Sequence, residues 1–205
     1  MRKVYAILGA FMLFAEDAFG GGAIAKEKIV DRPPTPDAQV DGGMVTLATL
    51  REVAFTGYLT GYSFWDNTPP GSAAIARPVI HRSAAGVGTY QDPITIAVGY
   101  RLVGGTAKLD YPAGTRFYIP NLRRYVIVED ICGNGPQPHL TGCHRGKNGA
   151  PWLDVYVDGR RAGAGAANAC MYAITGMQTF IMHPRKDYPV FAGALTESGC
   201  GRPNS

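Results

Sequence analysis

Residues 111–135, YPAGTRFYIPNLRRYVIVEDICGNG, decide how the chain reads. Phe117, Tyr118 and Ile119 form a short run of strand-forming residues and 125–128 a second, with Pro120, Asn121 and Leu122 as punctuation between them. That pattern predicts a β-hairpin. Its second strand ends in Glu129 and Asp130, followed by the Gly-bearing loop Cys132-Gly133-Asn134. Adjacent carboxyls where a buried strand gives way to a loop can be held rigidly and still reach solvent, which is how a hydrolase would present acids. The competing reading is that they cap a turn or hold a salt bridge.

Outward from this hairpin, the text from Met44 onward consists of short strand-forming runs separated by turns: 53–64, 75–79, 94–98, 116–119, 125–128 and 153–157. Strands of that length and spacing predict an all-β barrel or sandwich with minor α content. A helical turn is expected over 46–51, a short helix over 166–175 and a closing strand over 179–183. With 27 Gly, 15 Pro and 18% charged residues in 205, the composition favours loops and turns over helices and allows one domain with a real core. The net charge of +4 is scattered, and no dense basic and aromatic stripe is present, so nucleic acid is not an expected partner.

Met1, Arg2 and Lys3 precede an apolar run over 4–15 that is too short to span a bilayer comfortably, and Ala18 and Gly20 suit cleavage after Gly20. These features predict a secretory signal peptide over 1–20, with an uncleaved anchor as the rival. Residues 21–43, with Pro33, Pro34 and Pro36, read as a flexible leader, which leaves 44–205 as the domain. A secreted or periplasmic monomer without stable membrane insertion is expected. Cys132, Cys143, Cys170 and Cys200 in an exported chain predict two disulfides, for which three pairings exist. Cys132 with Cys143 would close a Gly- and Pro-rich loop, and Cys170 with Cys200 would tie down the tail; this pairing is favoured. A zinc site using His81, His139 or His144 is the weaker alternative, because no close CxxC pair exists.

Other stretches also carry candidate chemistry. In 56–70, TGYLTGYSFWDNTPP, Tyr62 and Trp65 lead into Asp66. A flat ring beside a carboxylate suits a pyranose, whose apolar face stacks while the acid addresses the glycosidic oxygen or a water. Alternatively Trp65 is core and Asp66 starts an Asx turn. In 151–157, PWLDVYV, alternation puts Leu153, Val155 and Val157 on one side and Trp152, Asp154 and Tyr156 on the other. Burial between those rings would raise the pKa of Asp154 and keep it protonated as a general acid. Residues 81–95, HRSAAGVGTYQDPIT, lack the GK[ST] of a phosphate loop and read as a tight loop in which His81 could be a substrate contact. No GxSxG supports a serine nucleophile.

Taken in order, YSFWDNTPP, GVGTYQDPIT, the stretch from Tyr111 to Cys132 and WLDVYV resemble the double-psi β-barrel proteins that act on or bind wall polysaccharides. These include small inverting endoglucanases, expansins, barwin-like proteins, the rare lipoprotein A domain and the barrel of membrane-bound lytic transglycosylase A. The similarity covers about Thr56 to Val157 and implies a six-stranded double-psi barrel with short helices and long loops. It further implies Asp66 as general base, Asp154 as the acid that protonates the leaving oxygen, and Asp130, with Glu129, at the acidic end of the central strand. Asn67 stands where the endoglucanases have Cys, and VYVDGR replaces their Gly-rich tail. The expected activity is cleavage of a β-1,4-linked wall glycan, peptidoglycan before cellulose, by a muramidase or lytic transglycosylase that needs no metal or cofactor. The alternative is a non-catalytic expansin- or barwin-like protein in which Tyr62, Trp65, Trp152 and Tyr156 form a stacking platform.

Overall fold

The computed structural model describes residues 50–133 and 135–200. Its elements run β1 Val53–Tyr62, β2 Ile94–Val98, β3 Tyr100–Val103, β4 Thr106–Leu109, β5 Arg116–Ile119, β6 Arg124–Ile131, α1 Gly142–Arg145, β7 Trp152–Tyr156, α2 Ala164–Ile174, β8 Gly176–Met182 and α3 Leu195–Ser198. Six strands close into a barrel in the order β1-β7-β2-β6-β5-β8. Within it β1 and β7 are parallel, as are β2 and β6, and the remaining pairs are antiparallel. The all-β class with minor α content is therefore observed. The hairpin expected from residues 117–128 is β5–β6, with Phe117 opposite Val126 and Tyr118 opposite Tyr125.

Period-two alternation builds the interior. Leu59, Ile96, Phe117, Val126, Val128, Leu153, Val155 and Phe180 are fully buried. Closing the sheet on itself buries that face and leaves no unpaired barrel edge. At Gly61 a Cβ would lie 3.0 Å from both Met171 Cγ and Val157 Cγ1, so the missing side chain lets α2 lie directly on β1.

Several boundaries differ from the sequence reading. Residues 75–79 are not a strand: the amides of Ala76 and Val79 donate to the carboxylates of Asp130 and Glu129 instead of to a neighbouring strand. The sequence reading also misses the separate hairpin β3–β4, whose signal was Gly104-Gly105, both in the left-handed region that such a turn requires. The signal peptide and leader over 1–43 lie outside the described residues. So does the helical turn over 46–51, except Leu50 and Arg51, which are not helical.

Both favoured disulfides form, Cys132–Cys143 and Cys170–Cys200. The second spans 30 residues and fastens the segment just after α3 to α2. Replacing Cys170 and Cys200 together by Ser is expected to cost roughly 3 kcal/mol of unfolding free energy through the freed denatured chain. A denaturant midpoint unchanged from wild type would show that the tail contributes nothing to stability.

Candidate functional site

The parallel pairing of β1 and β7 sets Tyr58 beside Trp152, Thr60 beside Asp154 and Tyr62 beside Tyr156. Alternation puts these residues on the face opposite Leu59, Leu153 and Val155. Across the next two strands, Ala97 on β2 lies opposite Asp154, and Asp130 on β6 lies opposite Ala97. A row Thr60, Asp154, Ala97, Asp130 thus crosses the barrel wall. The two acids are two strand spacings apart, roughly 9–10 Å along the backbone grid, and the Ala97 methyl leaves the space between them open.

Regular alternation would have turned Asp130 inward with Val126 and Val128. The register of β2 against β6 shifts between Ile96 and Ala97, which leaves Glu129 without a partner. This β-bulge re-aims Asp130 onto the row.

A cavity of about 580 Å³ opens over the row, lined by Tyr62, Asp66, Asn67, Ala97, Asp130 and Asp154, with Ala74–Ala76 along another part of its wall. Asp154 is buried, and its Oδ1 accepts a 2.6 Å hydrogen bond from the Thr60 hydroxyl. Thr60 in turn accepts from the Trp152 indole N–H at 2.7 Å, which commits the Thr60 proton to Asp154. Burial pushes the Asp154 carboxyl up to about 7; the Thr60 bond opposes this, and the negative charges of Asp66 and Asp130 add to it. Asp130 is also raised, by burial first, although the amides of Ile131 and Ala76 and the Tyr62 hydroxyl all donate to it. Asp66 stands exposed at the mouth, and its Oδ1 accepts from the Ser63 amide and hydroxyl, each at 2.7 Å. That contact closes the turn 63–66 from its C-terminal side, and the Asx turn expected to start at Asp66 does not form: the Thr68 amide donates to the Asn67 side chain instead.

The structure therefore brings Asp66, Asp130, Asp154 and Tyr62 together, and leaves the other expected contacts outside the cavity lining. Glu129 does not reach solvent: its Oε1 accepts from the amides of Val79, Ile80 and His81, and its Oε2 meets the His81 ring and the Thr95 hydroxyl. His81 is correspondingly held between Glu129 at 2.6 Å and Asp92 at 2.8 Å, away from the cavity lining. Trp65 donates to the Gly159 carbonyl and packs edge-on against Phe64. Tyr156 is buried behind Tyr62, their ring centres 5.3 Å apart. Trp152 lies outside the lining of this cavity and donates its indole N–H to Thr60. The sequence reading missed Thr60 and Ala97. Thr60 was within reach, since it precedes Tyr62 by two residues on the same strand face.

The sequence matches the family described as the DDB_G0273701 N-terminal domain over residues 54–201, which covers every barrel strand apart from Val53, the first residue of β1. The chain belongs to that family. It is 35% identical over 158 residues to the "Uncharacterized protein DDB_G0273701/DDB_G0273221" of Dictyostelium discoideum, a match covering 76% of this chain. The chain spans 62% of that relative's length. No solved structure matches the chain.

The Glu129–His81 pair makes a pH-dependent contribution to stability. Burial would raise Glu129, but the His81 amide and ring and the Ile80 amide outweigh it and hold the carboxyl below its usual range. Burial would lower His81, but Asp92 and Glu129 outweigh it and raise the imidazole above 6.5. The His81 contribution is thus complete below the unfolded value of 6.5 and lost as pH rises through the raised folded value. His81→Ala is expected to cost roughly 2 kcal/mol near about pH 5, and less in alkaline solution. Paired denaturation curves across pH check this, and a pH-independent difference between the two proteins would contradict it.

Proposed function

We infer that the protein is an exported enzyme that cleaves a β-1,4-linked wall polysaccharide, peptidoglycan foremost, with Asp154 as general acid. The observation that carries this reading is the buried Asp154 carboxyl beside a cavity, raised to about 7 while facing Asp66 and Asp130. Near neutral pH such a group can still deliver a proton to a glycosidic oxygen. Thr60 occupies Oδ1, which leaves Oδ2 as the proton-bearing oxygen. Asp66, with one oxygen held by Ser63 and the other open at the mouth, is the base that activates water in an inverting scheme. Asp130 has donors on both oxygens and is better suited to orient Tyr62 and the sugar. In a lytic transglycosylase scheme Asp154 performs both proton transfers, and a substrate hydroxyl takes the place of water.

Two parallel pairs inside a closed six-stranded barrel support the double-psi resemblance. The two disulfides support export to an oxidising compartment. The non-catalytic reading has less behind it. Of the four rings expected to form its platform, only Tyr62 lines the cavity.

The test is release of soluble muropeptides from purified sacculi. Asp154→Asn is expected to lower release at least about 100-fold; equal release from both proteins would remove Asp154 from the mechanism. Wild-type activity should fall as pH rises above about 7, because the acid loses its proton. Thr60→Val removes a bond that lowers the Asp154 pKa and should move that limb upward. Asp154→Asn should also be the more stable protein in alkaline solution, since ionising a carboxyl with a raised folded pKa disfavours the native state. An anhydro-sugar product would select the transglycosylase, and binding to sacculi without release would favour the non-catalytic reading.

A further inference from the structure

A second cavity, of about 360 Å³, lies at the start of β7 and is lined by Gly99, Asp110, Tyr111, His144, Arg145 and Trp152, among others. It adjoins the first in two ways. Trp152 and Asp154 are alternate residues on one strand face, about 7 Å apart, so a chain crossing Asp154 along β7 runs onto Trp152. Cys132 lines the first cavity and Cys143 the second, and the two are bonded to each other.

The charges in this cavity are unequally matched. Asp110 is its acid, and the Asp110 Oδ1 is engaged by His144 Nδ1 at 2.7 Å. Arg145 is exposed and, among the described residues, forms no ion pair or side-chain hydrogen bond. A second cation stands nearby. Lys147 Nζ lies 5.8 Å from the centre of the Tyr58 ring, and Tyr58 packs edge-on against Trp152 at 5.4 Å. Gly99 keeps the wall thin, because any side chain there would run into Asp110 and the His144 backbone.

An aromatic wall offers a sugar ring a stacking surface, and an unmatched guanidinium beside it offers a carboxylate paired donors. We propose that this cavity is a second subsite that receives a carboxylate-bearing sugar of the same glycan, with Arg145 as the contact for the carboxylate. The proposal rests on the glycan-cleaving reading for the placement of the chain, and it narrows the substrate class to anionic β-1,4 glycans. A neutral chain would fill the same space and leave Arg145 without its counter-charge.

The experiment separates binding from turnover. In Asp154→Asn protein, calorimetric titration compares a tetrasaccharide of alternating N-acetylglucosamine and N-acetylmuramic acid, which carries carboxylates, with neutral chitotetraose. The anionic sugar is expected to bind about threefold tighter, the margin of one solvent-exposed ion pair. Arg145→Ala in the same background should erase that margin, and Arg145→Lys should retain part of it. Equal affinities for both sugars, a preference that survives Arg145→Ala, or no binding of either sugar would overturn the subsite. Wild-type muropeptide release judges the cleavage reading separately. Selective binding without release would keep the subsite and remove the chemistry, whereas release without an Arg145-dependent preference would do the reverse.

Discussion

The buried carboxylate of Glu129 is the contact on which the site's geometry depends. A charge removed from water is tolerated only when it is matched, and this one is met by three consecutive backbone amides, an imidazole and a hydroxyl. Those amides belong to residues 79–81, so satisfying Glu129 pins that segment to the end of β6. The Arg77 amide donates to the Glu129 carbonyl as well. Just upstream, Ala74–Ala76 form part of the wall of the larger cavity. One residue therefore supplies the bulge that turns Asp130 outward and the anchor that holds the loop opposite it.

Glu129 and Asp130 are adjacent in sequence and meet opposite electrostatic conditions. Glu129 is surrounded by donors and held as an anion, whereas Asp130 and Asp154 sit where burial outweighs the donors they have. Environments that push neighbouring acids apart are what acid–base chemistry requires. The Trp152–Thr60–Asp154 chain extends the same logic, since an indole donor leaves the threonine hydroxyl only one useful direction for its proton. Structural and chemical roles are thus divided among residues a few positions apart.

Much of the barrel was legible because its strands are short runs of β-branched and aromatic residues set between turns. β2 and β5 fall on the runs that such composition and turn punctuation select, and the two faces of β7 separate as the text PWLDVYV suggests. The acids Asp66, Asp130 and Asp154 could be picked out because each interrupts or ends an apolar run. The roles of Glu129, His81 and Trp65 were not legible, since their partners lie far off in sequence and an acidic pair does not announce which member a bulge will bury. The segment 75–79 misled for a related reason. Its apolar residues look like a strand, but the amides of Ala76 and Val79 serve two carboxylates some 50 residues away, a demand that no local pattern encodes.

β1, the first barrel strand, has both its neighbours, β7 and β8, last among the barrel strands in sequence order. During synthesis it must wait with both edges unpaired until nearly the whole domain has emerged, because no earlier strand completes the ring. Such late closure makes folding slow and exposes a nascent chain to aggregation. It also means that premature termination before β7 would leave no partial barrel for β1 to join, so a ribosome stalled there yields a product fit only for disposal.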